Sequence, residues 1–137
     1  MKNYIFINLS NHPTDKWSET QKAAVINKYQ PKQIIDIAFP PIDPEWNLDK
    51  VRTLAHSYKN EIINHFHDRN DHIILHVMGE MSFTYILINM MLDYTVTCIC
   101  STTKRVVTTK YDDNGVEIGK ETKFEFCKFR DYYYSEY

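Results

Sequence analysis

Short polar segments that follow predicted β-strands hold the residue types that could bind or transform an anionic ligand. They offer hydroxyls, an amide, a histidine and two adjacent cations, and this combination suits a phosphodiester better than a neutral sugar. The candidate residues are Ser10, Asn11, His12, Thr14, Gly79, Ser82, Thr84, Ser101, Thr102, Thr103, Lys104 and Arg105. A further segment of this kind, residues 40–46, is rich in proline. The pattern predicts a site for a phosphorylated ligand.

The segment after the third predicted strand offers the only glycine at the end of a predicted parallel strand, Gly79. A residue without a Cβ lets a ligand approach the backbone. Ser82 and Thr84 would add hydroxyls at a helix N-terminus, where the partial positive charge favours phosphate. Alternatively, Gly79 only permits a tight turn and Ser82 only caps the helix.

Charged and titratable groups stand in two other segments. Lys104 and Arg105 follow the fourth predicted strand and would bind phosphate, or else form a solvated entrance to a hairpin. His12 follows the first predicted strand and could act as a general acid or base. A histidine in a turn before proline also has a purely structural interpretation.

Metal and cysteine chemistry are disfavoured by the residue spacing. His65 and His67 are two apart on a predicted helix and do not face one another. The sequence contains neither H-E-x-x-H nor C-x-x-C, so we expect no metal and no cofactor. Three cysteines, of which Cys98 and Cys100 share one face of a predicted strand, are expected to be reduced packing residues.

Composition narrows the class of protein. The 137 residues are 43% hydrophobic and 25% charged, which is typical of a folded globular domain. The net charge of −2 gives no basic excess for binding duplex DNA. No apolar run approaches the ~20 residues of a membrane span, and no secretory signal is visible, so we expect a soluble, cytoplasmic protein. Only three glycines are present, which excludes the dinucleotide fingerprint and the phosphate loop of NTPases.

Hydrophobic periodicity predicts the elements that position these groups. Strands are predicted at residues 4–9, 33–39, 73–78, 95–101, 105–111 and 120–129, and helices at about 18–28, 47–66 and 82–94. Asn114-Gly115 predicts a hairpin. The alternation predicts one domain over residues 1–137, a Rossmann-like α/β fold with a mostly parallel sheet, helices on both faces and a C-terminal antiparallel hairpin. The tyrosine-rich residues 131–137 are predicted to be a frayed or partner-packed end.

The third predicted helix is apolar nearly all round. Beside its main apolar stripe, Tyr85, Ile88 and Leu92 form a second row. A surface helix of a monomer would not carry two such rows, so we expect a homodimer in which this row meets its symmetry mate. The alternative is that the hairpin and the tail cover the row within one chain.

The layout of these segments resembles that of small CRISPR-associated Rossmann-fold (CARF) proteins. The resemblance covers most of the chain and rests on residues 10–13, 78–84 and 101–105. It implies that the protein binds a cyclic oligoadenylate second messenger across a dimer two-fold axis. Single-domain members of this family are typically ring nucleases that cut the messenger without metal, which implies the same activity here.

The resemblance also implies residue roles. It matches Ser10, Asn11 and His12 to ligand contacts, and Lys104 and Arg105 to the basic groups beside the ring. It matches Gly79, Glu80, Ser82 and Thr84 to a phosphate-facing turn. Cleavage would proceed by attack of a ribose 2′-hydroxyl on the adjacent phosphate, with Lys104 or Arg105 stabilising negative charge and His12 or Glu80 moving a proton. Other open functions are a non-catalytic nucleotide-binding regulator and a protein interaction module.

Overall fold

Strands and helices alternate along the chain before a C-terminal hairpin. The computed structural model describes residues 2–132. Its strands are β1 (Asn3–Ser10), β2 (Gln33–Ala38), β3 (Asp71–Val77), β4 (Val96–Tyr111) and β5 (Glu117–Asp131). Its helices are α1 (Glu19–Tyr29), α2 (Leu48–Ile63) and α3 (Met81–Met91), and a 3₁₀ turn at Thr14–Lys16 precedes α1.

The strands form a single sheet in the order β2-β1-β3-β4-β5. The first four strands pair in parallel, with Ile7 of β1 between Ile35 of β2 and Leu75 of β3. β4 and β5 pair antiparallel. This arrangement confirms the predicted α/β fold with a mostly parallel sheet and a C-terminal hairpin.

One long strand replaces two predicted strands. Residues 101–105 were expected to form a loop between strands at 95–101 and 105–111, but β4 runs unbroken through them. Thr102 pairs with Lys128 and Thr103 with Phe126, so the ladder continues across a bulge in β5. The loop prediction is wrong because threonine is β-branched and favours strands, and no proline or glycine interrupts this segment.

The two faces of the sheet are covered by different helices, as predicted. Ile5 and Leu9 of β1 pack into one core with residues of α2 and α3. Phe6 faces the other way and packs with Trp17 and with Val25 of α1. Strand alternation places the even-numbered residues of β1 and β3 on this α1 face.

Side-chain caps fix where the first two helices begin. Ser18 accepts a hydrogen bond from the amide of Gln21 at the start of α1. Asn47 accepts one from the amide of Lys50 at the start of α2. Both starts agree with the predicted caps. No helix within residues 2–132 is long and apolar enough to cross a bilayer.

The second apolar row of α3 differs from the prediction at its centre. Ile88 is only 8% exposed and packs into the core beside α2, whereas Tyr85 is 71% and Leu92 47% exposed. Met81, one turn before Tyr85, is also exposed. The exposed apolar row therefore consists of Met81, Tyr85 and Leu92, and Ile88 does not belong to it because its own chain covers it.

Beyond the sheet, β4 and β5 continue as a two-stranded arm over residues 103–126. The predicted turn closes it, with Gly115 at φ +78° donating its amide to the Asp112 carbonyl. The arm exposes apolar side chains at Val107, Tyr111, Val116, Ile118 and Phe124. At the base, the hydroxyl of Tyr132 donates to the Val77 carbonyl. The rest of the tyrosine-rich end, residues 133–137, lies outside the described residues.

Candidate functional site

A cavity of about 890 Å³ opens at the carboxyl ends of β1 and β3, between the start of α1 and the base of the arm. Here it is called the rim cavity. Its lining residues are Ser10, Asn11, His12, Lys16, Trp17, Ser18, Thr20, Gln21, His76, Met78, Gly79, Ser101, Thr103, Phe124, Glu125 and Phe126. The carboxyl edge of a parallel sheet is where ligands bind in open α/β folds.

The structure brings part of the predicted site together in this cavity. The candidates that line it come from three separate segments: Ser10, Asn11, His12, Gly79, Ser101 and Thr103. The first strand, the third strand and β4 thus contribute to one cavity. The remaining candidates, Thr14, Glu80, Ser82, Thr84, Thr102, Lys104 and Arg105, do not line the cavity.

Alternation along β4 explains why Lys104 lies apart. Ser101 and Thr103 share the face that lines the rim cavity, so Thr102 and Lys104 project from the opposite face of the strand. The Thr102 hydroxyl donates to the Lys128 carbonyl instead. Arg105 shares the face of Thr103 but lies farther along the arm, opposite Phe124. Lys104 pairs across the hairpin with Glu125, which lines the cavity, but Lys104 itself does not.

The N-terminus of α3 already holds a carboxylate. Glu80 caps this helix and accepts hydrogen bonds from the amides of Ser82 (2.6 Å) and Phe83 (3.2 Å). The Ser82 hydroxyl also donates to Glu80, and this bond is the main reason that the pKa of Glu80 lies below its usual value. Glu80 is therefore ionised at neutral pH. A phosphate at this terminus would have to displace it, and Glu80 rather than Ser82 is the cap.

Gly79 is required by packing rather than by backbone conformation. A Cβ at this position would overlap the ring of Phe39. That ring lies edge-on to Phe83 with 5.2 Å between centroids, so it has little freedom to move away. The missing side chain makes room for Phe39, while the backbone of Gly79 still borders the rim cavity.

The rim cavity has a different anion-binding element, which the sequence analysis missed. Ser18, Thr20 and Gln21 line it, so the first turn of α1 borders the cavity. The amides of Glu19 and Thr20 lie in this turn, where no intrahelical acceptor exists. Lys16 also lines the cavity, and within residues 2–132 no carboxylate lies within ion-pair distance of it. A lysine beside a helix N-terminus is a favourable setting for phosphate.

A chain of hydrogen bonds connects three strands at the cavity wall. His76 Nε2 lies 2.7 Å from Ser101 Oγ, and His76 Nδ1 lies 2.9 Å from Asn8 Oδ1. The Gln21 side chain donates to Ser101 Oγ at 2.9 Å rather than folding back on its own helix. Asn8 and His76 are paired in register on β1 and β3. We call Asn8, His76 and Ser101 the buried triad.

The imidazole of His76 is held in its neutral form. The side chain is 2% exposed and packs among the rings of Phe6, Trp17 and Phe129. This burial lowers the pKa of His76 to about 4, because an apolar setting disfavours the charged ring. At neutral pH the ring therefore has one protonated nitrogen and one with a free lone pair.

The loop after β1 is anchored by its backbone. The carbonyl of His12 accepts hydrogen bonds from the Asn8 amide (2.8 Å) and from the indole of Trp17 (2.8 Å). Asn8 also donates to the carboxylate of Asp36 at 2.9 Å, and the Thr14 hydroxyl donates to the same carboxylate. These bonds leave the side chain of His12 exposed at the cavity.

Aromatic rings form one wall of the cavity. Phe124, on the inner part of the arm, is 70% exposed although it lines the cavity. Phe126 lies deeper and contacts Phe129, with 4.9 Å between ring centroids. An exposed ring at a cavity offers a stacking surface for a planar base. Within residues 2–132, no group of three or more His, Cys, Asp or Glu side chains is arranged to hold a metal ion.

Comparison with known proteins gives a family and one solved structure. No curated protein sequence matches the chain. The structure of Enterococcus italicus Csm6 bound to cyclic hexa-2′-fluoro-hexa-dAMP matches with a TM-score of 0.46 and 17% sequence identity. That match covers 74% of this chain and 34% of Csm6, so the chain spans about a third of that protein's length. Residues 4–130 match the family described as "Uncharacterized protein MJ1673 family", and the chain belongs to this MJ1673 family.

Proposed function

We propose that the chain binds a cyclic oligoadenylate in the rim cavity and cleaves it without metal, as CARF ring nucleases do. One observation carries the proposal. One cavity at the carboxyl edge of the sheet is lined by Lys16, the first turn of α1, hydroxyls from two strands and an exposed aromatic ring. This combination supplies groups for phosphate, for ribose and for base.

Phosphate recognition is assigned to Lys16 and the start of α1. The ammonium of Lys16 and the amides of Glu19 and Thr20 are donors without internal acceptors, so a phosphodiester would satisfy them. These groups replace Lys104 and Arg105 in the role that the sequence had suggested. The exposed side chains of Asn11 and His12 complete the polar wall.

Base recognition is assigned to Phe124. Its ring is largely exposed at the cavity. Stacking on an adenine would remove one face of the phenyl ring and one face of the base from water. Every base has a π-face, so stacking supplies affinity, and hydrogen bonds from nearby polar groups supply selectivity.

Cleavage needs mainly orientation. If the cavity holds a ribose 2′-hydroxyl in line with the neighbouring phosphorus, attack gives a 2′,3′-cyclic phosphate and frees the 5′-oxygen, with no metal in the reaction. Lys16 would stabilise the charge that develops on the phosphate oxygens. His12, which is exposed and lines the cavity, would give a proton to the leaving oxygen.

A second copy of the chain would complete the site. Pockets of about 300–1,000 Å³ suit drug-sized ligands, and a ring of several nucleotides is larger than these. Met78 lines the rim cavity and Met81 follows it at the start of the exposed row of α3. We propose that a two-fold contact through Met81, Tyr85 and Leu92 joins two such cavities.

Dimerisation is tested by sedimentation equilibrium at micromolar concentration. We expect a dimer for the natural chain and a monomer for Tyr85→Asp, which places a charge in the row. Lys59→Asp on α2 is the matched control and should remain dimeric. A monomeric natural chain would overturn this part of the proposal.

The activity is tested by incubation with cyclic tetra-adenylate in EDTA, followed by chromatography of the products. Cleavage supports the enzyme. Binding in calorimetry without products would instead support a non-catalytic nucleotide-binding regulator on the same site. The absence of both binding and cleavage, with cyclic hexa-adenylate as well, would refute the proposed ligand class.

A further inference from the structure

We propose that Ser101 is a catalytic residue that relays the proton of the attacking ribose hydroxyl to His76, with Asn8 as the positioning residue for His76. This inference rests on the proposed function for its substrate. It goes beyond that function because it assigns the general base to the buried triad.

The hydrogen bonds of Asn8 set the tautomer of His76. The amide nitrogen of Asn8 donates to the His12 carbonyl and to Asp36, so its oxygen Oδ1 is the acceptor. Ser10 donates to the same oxygen at 2.9 Å. The nitrogen that faces this oxygen, His76 Nδ1, must then carry the proton. In the neutral ring, Nε2 is left as an acceptor.

The direction of the Ser101 proton follows from that tautomer. Because His76 Nε2 is an acceptor at 2.7 Å, the Ser101 hydroxyl donates to it. One lone pair of Ser101 Oγ accepts from Gln21 at 2.9 Å. A hydroxyl oxygen has two lone pairs, so a second one stays available on a residue that lines the rim cavity. A ribose 2′-hydroxyl could donate to it.

The relay gives a balanced step. The 2′-oxygen forms a bond to phosphorus as its proton moves to Ser101 Oγ, and the Ser101 proton moves to His76 Nε2. The bond from phosphorus to the 5′-oxygen breaks, and this oxygen takes a proton from water, or from His12, which then regains a proton from solvent. His76 then returns its extra proton to solvent through Ser101, so the protein ends the cycle unchanged.

The ring of His76 is neutral before the reaction, and the burial that lowers its pKa to about 4 makes it a weak base that holds the transferred proton only transiently. The groups that face the ring are Asn8, Ser101 and the aromatic rings of Phe6, Trp17 and Phe129, and none of these is charged. The nearest carboxylate in the network, Asp36, is one hydrogen bond farther away, on Asn8. The other charged or titratable residues that line the cavity with Ser101 are Lys16, His12 and Glu125.

A merely structural network is the competing explanation. A buried polar cluster that joins β1, β3 and β4 would also order the edge of the sheet. The two explanations differ in what the Ser101→Ala variant does. Loss of a structural bond lowers the stability, whereas loss of a relay lowers kcat and leaves ligand affinity almost unchanged.

The test compares Ser101→Ala with Thr108→Ala, which removes an exposed hydroxyl from the same strand outside the rim cavity. We expect kcat for cyclic tetra-adenylate to fall by about 10²-fold or more in Ser101→Ala, with Kd changed by less than about threefold. Thr108→Ala should keep kcat within about threefold, and Ser101→Thr should recover part of the activity. Equal kcat in Ser101→Ala and the natural chain would overturn the relay and leave the proposed function standing.

A second measurement does not depend on activity. The ¹⁵N chemical shifts of His76 at neutral pH should show the Nδ1-protonated tautomer, and Asn8→Leu should shift the ring away from it. An Nε2-protonated ring would overturn the relay even if the natural chain cleaves its ligand. If the natural chain shows the expected tautomer but neither binds nor cleaves, the proposed function fails and the relay falls with it.

Discussion

The ring of Phe39 occupies the space that a Cβ of residue 79 would need. Gly79→Ala should therefore lower the free energy of unfolding by about 1–3 kcal/mol, the usual cost of overpacking a tight contact. Denaturant unfolding measures this change. In the Phe39→Leu background the cost of Gly79→Ala should shrink, because a smaller side chain leaves room for the methyl group. An additive double variant would contradict the contact as its cause.

Lys16 is expected to bind the phosphate and Lys104 is not. Lys16→Ala should weaken the binding of cyclic tetra-adenylate about 10- to 100-fold, since hydrogen bonds to charged groups contribute about 1.5–3 kcal/mol. Lys104→Ala is the matched control, because it removes the same charge from the opposite face of β4. Calorimetry at two salt concentrations should show a smaller salt dependence for Lys16→Ala only. A larger loss of affinity in Lys104→Ala than in Lys16→Ala would instead support the phosphate contact at Lys104 that the sequence suggests.

Phe124 is expected to stack on a base. Phe124→Ala should lower the binding free energy by about 1–3 kcal/mol, the range for one stacked base. Tyr111→Ala removes another exposed ring, farther out on the same arm, and should leave affinity unchanged. Quenching of ligand fluorescence with a 2-aminopurine analogue measures both. Equal losses in the two variants would indicate a general effect on the arm rather than stacking.

Burial of His76 should make stability depend on pH. The folded chain resists protonation of this ring down to pH 4, whereas the unfolded chain takes up the proton near the ordinary pKa of 6.5. The free energy of unfolding should therefore fall by about 3 kcal/mol between pH 7 and pH 4, and this loss should level off below pH 4. His72, whose pKa is also lowered by burial, contributes in the same direction.

Unfolding titrations over this pH range check the prediction. His76→Gln should lose most of the slope with pH, and Ser101→Ala, which leaves the ring buried, should retain it. An unchanged slope in His76→Gln would show that other groups cause the pH dependence.

The sequence predicts the fold well because hydrophobic periodicity and caps are local signals. Ser18 and Asn47 mark helix starts by residue type alone. The run at 101–105 misleads, because its polar residues resemble a loop while their β-branched side chains favour the strand that forms. The prediction that Ile88 belongs to the exposed row of α3 is wrong, because periodicity does not show which of two apolar faces the neighbouring helix covers.

The site is predicted only in outline. That Ser10, Gly79 and Ser101 would meet follows from the rule that ligands bind at the carboxyl edge of a parallel sheet. The sequence does not indicate Lys16 as a site residue, because its short 3₁₀ turn has no periodic pattern. Asn8 and His76 carry a signal that could have been used, since each is a polar residue inside an apolar strand. Their pairing in register becomes visible only when β1 and β3 are side by side.

The arm formed by β4 and β5 has a consequence for solubility. Its outer strand is an open edge that displays apolar side chains, a combination that invites pairing with strands of other molecules. Alternating charges along β5 oppose such pairing, among them Lys120, Glu121, Lys123, Glu125 and Lys128. Neutralising several of these charges should therefore turn the arm into a seed for aggregation while the parallel core stays folded.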